Sequence, residues 1–212
     1  MGPDARAYKK FFPQEHIPVI LLSIFMAGGN LKKETGNDFE DWLTRRLYRW
    51  LKQIPIFRDG PLTIALKAEI VSSDMGVDSH AASGEIDIFV SCGKGVEVYF
   101  AIEAKRLRFR SSKGEIISGS SQYIEQGMMR FVSGQYAPCM KAGAMLGYVF
   151  DGKTGEARSS IDKEVQNKAV KLKLKPPQKL VQSKILPDKP VHETRHDLEK
   201  RNFIIYHVLF AV

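Results

Sequence analysis

Alternating apolar and polar positions predict two neighbouring strands near the middle of the chain. Over residues 84–91 and 98–105 the side chains follow the two-residue period of a β-strand. One face of the second strand is apolar, whereas the other carries Glu103 and Lys105, and the matching face of the first strand carries Asp87. Glycines in the short link at 92–95 suit a hairpin loop, because glycine tolerates positive φ. The pattern therefore predicts a hairpin with ionisable groups on one face.

Helical periodicity surrounds this hairpin. From about 37 to 52, apolar side chains recur at helical spacing with arginines between them, and Asn37 or Asp38 is suited to cap that helix. The remaining pattern predicts helices at 18–27, 119–133 and 156–170, strands at 62–71 and 144–150, a basic loop at 171–190, and a terminal strand at 203–212 that closes the sheet.

The order of these elements predicts an α/β fold with a mixed central sheet flanked by helices. Helix, three strands, helix and strand follow one another between residues 37 and 150 (αβββαβ). A chain of 212 residues is long enough for one well-buried core and short for two. We expect a single domain over 1–212, with its core at about 37–150, a helical N-terminal extension over 1–36 and a basic C-terminal extension over 151–212.

The charge balance indicates a polyanionic partner. The chain has 32 Lys and Arg against 24 Asp and Glu, a formal charge of +8, and a pI near 9.4. Nucleic acid is the expected partner. No membrane partner is expected, since the apolar run at 17–27 is well short of the roughly 20 residues that a spanning helix needs. Two cysteines are too few for a disulfide scaffold, so a reducing cytoplasm is the expected compartment.

Asp87, Glu103 and Lys105 are the main candidates for chemistry. Pairing across the hairpin brings Asp87 beside Glu103 on a half-buried face, where charges are costly unless they are paired or bind a cation. An acid-x-Lys triplet occurs at both 103–105 and 151–153, but the second follows a strand and is typical of a turn. The alternative is an amphipathic hairpin with a solvated Glu–Lys pair, worth about 0–1 kcal/mol.

These residues resemble the signature of the PD-(D/E)XK nuclease superfamily, which includes restriction and repair endonucleases. Asp87 is followed by Glu103-Ala104-Lys105 on the next strand, although Ile86 stands where the motif has its proline. The predicted αβββαβ order is similar to the superfamily's restriction-endonuclease-like core and covers more than half of the chain. The resemblance implies a metal-dependent nuclease, with DNA as the expected substrate and a homodimer where both strands of a duplex are cut.

The resemblance also implies individual roles. Asp87, Glu103 and the Ala104 carbonyl would hold Mg²⁺ (or Mn²⁺), a cation that prefers oxygen ligands. Lys105 would orient the attacking water or stabilise charge at the phosphorus. Superfamily members often carry a further acid in the helix before the strands, which corresponds to Glu40, although the helix dipole alone also favours an acid there. A polar residue of the later helix that faces the active site corresponds to Gln126.

The expected nucleic-acid contacts are basic side chains near these positions. Arg130 lies four residues after Gln126 and on the same helical face, and the others follow the second strand of the hairpin. These residues are Arg106, Arg108, Arg110, Lys113 and Arg130. The basic loop at 171–190 would either contact phosphates or form a solvated surface connection.

Two other functions remain open. Residues 192–196 match the H-E-x-x-H pattern, which on a helix would bind zinc in a peptidase. Prolines before this segment and polar residues after it favour a chance match or a capped surface helix. A catalytically silent nucleic-acid-binding module with the same fold is the second alternative, and the intact set of Asp87, Glu103 and Lys105 disfavours it.

Overall fold

The computed structural model describes residues 12–34, 39–70, 84–93, 98–138, 140–199 and 201–212. The main strands are β1 Leu62–Ile70, β2 Gly84–Cys92 and β3 Tyr99–Leu107, followed by the short ribbon of β4 Phe109–Arg110 and β5 Ile116–Ile117. Later in the chain come β6 Ala142–Val149, β7 Val181–Gln182, β8 His192–Asp197 and β9 Asn202–Ala211. All except β4 and β5 join one seven-stranded sheet in the order β1–β2–β3–β6–β9–β8–β7.

Helices cover this sheet. They are α1 Ile17–Gly28, α2 Glu40–Leu51, α3 Pro55–Arg58, α4 Ser120–Tyr123, α5 Met129–Val132 and α6 Thr154–Asn167. A π-helical segment, Ile124–Met128, joins α4 to α5. The predicted cap residues Asn37 and Asp38 lie outside the described residues, and α2 begins at Glu40. The buried side of α2 faces α1, β2 and β3, which brings its first residues to the sheet.

Strand directions agree with the predicted mixed sheet. β1, β2 and β3 are antiparallel, whereas β3, β6 and β9 run parallel. A helix, three long strands, a helical stretch and another strand follow one another from α2 to β6. The α/β class with helices flanking a mixed sheet is therefore confirmed. The terminal strand is buried as predicted, but it does not close the sheet, because β8 pairs with its other edge.

The H-E-x-x-H segment is a strand, so both helical interpretations of it are wrong. In strand β8, His192 and His196 lie four residues apart, about 13 Å at the usual rise of a strand, which is too far to share one ion. His196 is fully buried, and its two ring nitrogens contact Thr194 Oγ1 and the Leu172 carbonyl at 2.8 Å each. The zinc-peptidase alternative therefore has no site here.

Within the described part of the chain, no helix is both long and apolar enough to cross a bilayer.

Candidate active site

The candidate site lies where β2 and β3 separate. Their antiparallel ladder ends at the pair Ile88–Ile102, and from Ile102 onward β3 pairs in parallel with β6. Asp87 and Glu103 are the next residues beyond that last pair, one on each strand. The hairpin thus brings the two acids to the same fork in the sheet, as predicted. The face is more deeply buried than the sequence indicates, since Glu103 is only 1% exposed.

The Asp87 side chain links β2 to β3 just beyond the last backbone pair between these two strands. Its Oδ2 accepts a hydrogen bond of 2.8 Å from the Ala104 backbone N–H, and its Oδ1 accepts one of 2.9 Å from Lys67 Nζ. Since a carboxylate has about four lone-pair directions, each oxygen keeps acceptor capacity. Asp87 is therefore held rigidly while it remains able to ligate a cation.

Glu103 is the most constrained group of the cluster. Its Oε1 accepts hydrogen bonds from Lys105 Nζ at 2.5 Å and Arg130 Nη1 at 2.9 Å. Its Oε2 is buried and has no hydrogen-bond partner among the described residues. Burial, with the negative charge of Asp87, raises the pKa of Glu103 to about 7 although the neighbouring Lys105 and Arg130 oppose the shift. An unpartnered buried carboxylate oxygen is costly unless something positive binds it.

Lys105 connects β3 to helix α2. Its Nζ lies 2.7 Å from the Ala104 carbonyl oxygen and 3.3 Å from Glu40 Oε1, in addition to its contact with Glu103. Burial alone lowers the pKa of Lys105, but the charges of Glu103 and Glu40 outweigh it and raise the pKa above its usual value. The lysine is therefore charged at neutral pH. Glu40 Oε2 in turn accepts a 2.7 Å hydrogen bond from the Arg106 backbone N–H.

Arg130 lies at the inner edge of the cluster. Besides its contact with Glu103, its Nη1 donates to the hydroxyl of Tyr136, which donates its own proton to the Glu85 carbonyl. The sequence predicted a phosphate contact for Arg130. The structure places it against the catalytic candidate Glu103, where it partly offsets that carboxylate's charge.

Lys67 is the site residue that sequence reasoning missed. It lies in β1 between the pairs Leu66–Ile88 and Ala68–Ile86, which puts it opposite Asp87, and it has a positive φ of 55°. A non-glycine residue in this conformation costs on the order of 1–3 kcal/mol. Its amine contacts Asp87 at 2.9 Å, and the register of β1 against β2 was the signal that could have located it.

Lys67 also brings Asp41 of α2 to the cluster. Its Nζ lies 2.9 Å from Asp41 Oδ1 and 3.0 Å from Glu85 Oε1. Asp41 and Glu40 project about 100° apart on the helix. Each reaches the cluster through a different lysine, Asp41 through Lys67 and Glu40 through Lys105.

The predicted nucleic-acid contacts divide into two groups. Arg106 lines an open groove beside Glu40, with its guanidinium carbon 3.9 Å from the centroid of the Phe109 ring. Arg110 and Lys113 are exposed on the β4–β5 ribbon. These three positions leave their side chains at the surface, as phosphate contacts require.

Arg108 differs from the others because it is already paired. Its guanidinium lies 2.8 Å from Asp151 Oδ2 and 2.7 Å from Glu156 Oε2. These ion pairs tie the end of β3 to the start of α6. A phosphate would have to compete with two carboxylates for this arginine.

Gln126 is the one predicted catalytic residue that the structure does not bring into the cluster. It is exposed in the π-helical segment, and its side chain forms no hydrogen bond with another described residue. The widened turn changes the relation between Gln126 and Arg130 that an α-helical spacing predicts. Its neighbour Gly127 is tightly packed, since a Cβ there would lie 2.3 Å from Met145 Cε and 3.8 Å from Lys105 Cγ.

The donor set of the cluster fits a divalent cation. Asp87 and Glu103 supply hard carboxylate oxygens, the Ala104 carbonyl contacts the same lysine as Glu103, and Glu103 Oε2 lacks a hydrogen-bond partner among the described residues. The described residues contain no group of three or more His, Cys, Asp or Glu side chains that could hold a metal. A bound ion would therefore rely on two carboxylates and a backbone carbonyl, which suits Mg²⁺ because it keeps several waters.

Comparison of the chain with protein-family models, curated proteins and solved structures gives no significant match.

We expect Glu103→Gln to raise the free energy of unfolding at pH 8 by about 2–3 kcal/mol and to change it little at pH 4.5. A carboxyl whose pKa is raised in the folded state contributes full stability below its unfolded pKa and loses it as pH rises through about 7. Glutamine keeps the shape and removes this loss. Urea unfolding in EDTA at both pH values measures the effect, and an equal change at both would contradict the raised pKa.

Proposed function

We propose that this chain is a Mg²⁺- or Mn²⁺-dependent nuclease of the PD-(D/E)XK type that hydrolyses phosphodiester bonds in DNA. The observation that supports it most is the buried, unpartnered Oε2 of Glu103 next to Asp87 and Lys105. Folding such a group is unfavourable, and a cation at this position would offset the cost. Ion pairs that only stabilise the fold would not require a buried carboxylate oxygen without a hydrogen-bond partner.

In the proposed site Asp87, Glu103 and the Ala104 carbonyl would hold the ion. A divalent cation there polarises a phosphate and lowers the pKa of a bound water. The rigidity of Asp87, which is bonded to both Ala104 and Lys67, supports this role because a preorganised ligand loses little freedom on binding. Lys67 shares Oδ1 of Asp87 and would partly compete with the ion.

Lys105 would act on the substrate itself. Its charged amine is held by Glu103, Glu40 and the Ala104 carbonyl, so it is oriented before substrate arrives. A fixed ammonium stabilises negative charge that develops on a phosphate more effectively than a mobile one, since no reorganisation is needed. Glu40 would then be a positioning residue that sets both Lys105 and the Arg106 backbone.

The order of elements supports the same assignment. Asp87 and Glu103 lie on the second and third strands after α2, and Glu40 begins that helix. This is the arrangement in which the superfamily signature is carried by a restriction-endonuclease-like core. The basic residues Arg106, Arg110 and Lys113 lie on the stretch that directly follows Lys105.

A Mg²⁺-dependent nicking assay on supercoiled plasmid tests the proposal. We expect the wild-type protein to convert supercoiled DNA to nicked circles with Mg²⁺ or Mn²⁺ and to leave it intact in excess EDTA. One site cuts one strand, so linear product would additionally require two copies of the chain.

Binding without cleavage under both metal conditions would favour the alternative, a catalytically silent module that uses the same fold and basic surface. Gel-shift binding of the same plasmid fragment in EDTA provides the control that distinguishes an inactive binder from a protein with no affinity for DNA. Absence of both cleavage and binding would reject both functions.

A further inference from the structure

A stripe of aromatic and arginine side chains runs along the outer face of α2. The core-facing side of the helix buries Leu43, Leu47 and Leu51 completely, whereas Arg45, Arg49 and Trp50 are exposed. The stripe follows the spacing i, i+3, i+4, i+7, i+8 and i+11, the spacing of one helical face. Its members, called here the α2 stripe, are Trp42, Arg45, Arg46, Arg49, Trp50 and Gln53.

Two aromatic side chains at this surface are exposed. Trp50 is 45% exposed, and Phe39, at the start of the helix, is 64% exposed. Trp42 is half-buried and packs against the core, and the Arg46 guanidinium carbon lies 4.7 Å from the centroid of its ring. Large exposed aromatic side chains that lie together mark a binding surface more often than isolated ones do.

The α2 stripe is continuous with the candidate active site. One open groove is lined by Trp42, Arg46, Arg49, Trp50 and Gln53, together with Glu34. A second groove, which shares Trp42, is lined by Phe39, Glu40, Asp41, Arg45 and Arg106. Glu40 contacts Lys105, so the two grooves lead from Trp50 to the lysine of the cluster.

Charge and chemistry favour a polyanion with flat apolar faces. Arg45 and Arg49 form no ion pair with another described residue, whereas Arg46 is paired with Glu34. Arginines that alternate with aromatic rings match the alternation of phosphates and bases along a nucleic-acid strand. In a duplex the bases are stacked on each other and their faces are closed, so only a single strand could stack on Phe39 and Trp50.

We propose that the α2 stripe binds single-stranded DNA and leads it to the carboxylate cluster. Bases stack on Phe39 and Trp50 and contact the exposed part of Trp42, while Arg45 and Arg49 contact phosphates. Trp42 and Trp50 are eight residues apart, about 12 Å along the helix, which accommodates about three stacked nucleotides. The binding surface stands independently, but its role in delivering substrate rests on the proposed nuclease function.

The chain provides its own probe for this inference, because its two tryptophans, Trp42 and Trp50, both lie in the α2 stripe. We expect a 20-nucleotide oligo(dT) to quench the intrinsic tryptophan fluorescence of the full-length protein in EDTA, where no cleavage occurs. A blunt duplex is expected to quench it little. Oligo(dT) suits the test because it does not form a duplex with itself.

Affinity measurements by fluorescence anisotropy of a labelled oligo(dT) then assign the residues. Trp50→Ala is expected to weaken single-strand binding about 5- to 150-fold, the range for loss of one base–aromatic stack, and to change duplex binding less than about 2-fold. The matched control is Val170→Ala, which removes another exposed apolar side chain, 90% exposed and outside the stripe. For the arginines, Arg49→Ala is compared with Arg158→Ala on the exposed side of α6.

The outcomes separate this inference from the nuclease proposal. Absence of quenching by oligo(dT), or an equal loss of single-strand and duplex binding in Trp50→Ala, would overturn the single-strand surface. Quenching that depends on Trp50 in a protein that never cleaves DNA would support the surface and reject the nuclease. Cleavage by a protein whose fluorescence does not respond to oligo(dT) would support the nuclease and reject the single-strand surface.

Discussion

Replacing Lys105 by Ala is expected to lower the rate of DNA cleavage about 10³-fold while DNA binding in EDTA stays within about 3-fold of the wild type. The ammonium is held by Glu103, Glu40 and the Ala104 carbonyl, and it lies only 2.5 Å from Glu103 Oε1. In the proposed mechanism it would stabilise negative charge in the transition state rather than add to the general affinity for the DNA backbone. Single-turnover cleavage of a labelled plasmid measures the effect.

The chain contains a natural control for this experiment. Lys153 belongs to the other acid-x-Lys triplet, but it follows β6, is well exposed, and among the described residues forms an ion pair only with Glu156, at 3.1 Å. Lys153→Ala is therefore expected to cleave at the wild-type rate. Lys105→Met, which keeps the buried stem, controls for packing. Cleavage by Lys105→Met at the wild-type rate would rule out a catalytic role for the ammonium.

Asp87→Asn is expected to abolish divalent-metal binding and, with it, cleavage. Asparagine keeps an acceptor for the Ala104 N–H and fills the same volume, so the change removes mainly one negative charge from the site. For the wild-type protein, an ion at 100 times its dissociation constant should raise the free energy of unfolding by about 2.7 kcal/mol. The variant should show no such increase.

Titration calorimetry with Mn²⁺ and urea unfolding with and without Mg²⁺ measure both consequences. Glu193→Gln is the matched control, because Glu193 is also a buried carboxylate but lies in β8, where Ser183 and Arg195 bind it. That variant should bind metal like the wild type. A wild-type isotherm for Asp87→Asn would remove the metal site and, with it, the basis of the proposed function.

The strands around the site were predictable because their sequence has one dominant period. Residues 84–91 and 98–105 divide into two faces at strand spacing, and the short link at 92–95 is too short for a parallel crossover, so an antiparallel hairpin was the consistent choice. The pairing Ile88–Ile102 confirms its register. That register alone is enough to bring Asp87 and Glu103 together.

Features that depend on non-neighbouring strands were not predictable in the same way. Residues 203–212 are nearly all apolar, which indicates burial but does not say on which side a further strand will pair. β8 occupies that side, and its polar sequence, which includes His196 and Glu193, gave no sign of a strand inside a sheet. Thr194 contacts His207 of β9 across the sheet, and His196 contacts the Leu172 carbonyl, and no local pattern encodes either contact.

The amino-acid sequence alone determined the α/β class, the hairpin, and the presence of Asp87, Glu103 and Lys105 on one face of it, since strand periodicity is a local property. Tertiary packing alone decided how these groups are paired. It brought Lys67 from β1 and Glu40 and Asp41 from α2 to the fork, and it buried Glu103 deeply enough to raise its pKa to about 7. Burial and charge pairing depend on elements far apart in the chain, which is why the electrostatics of the site could be obtained only from the structure.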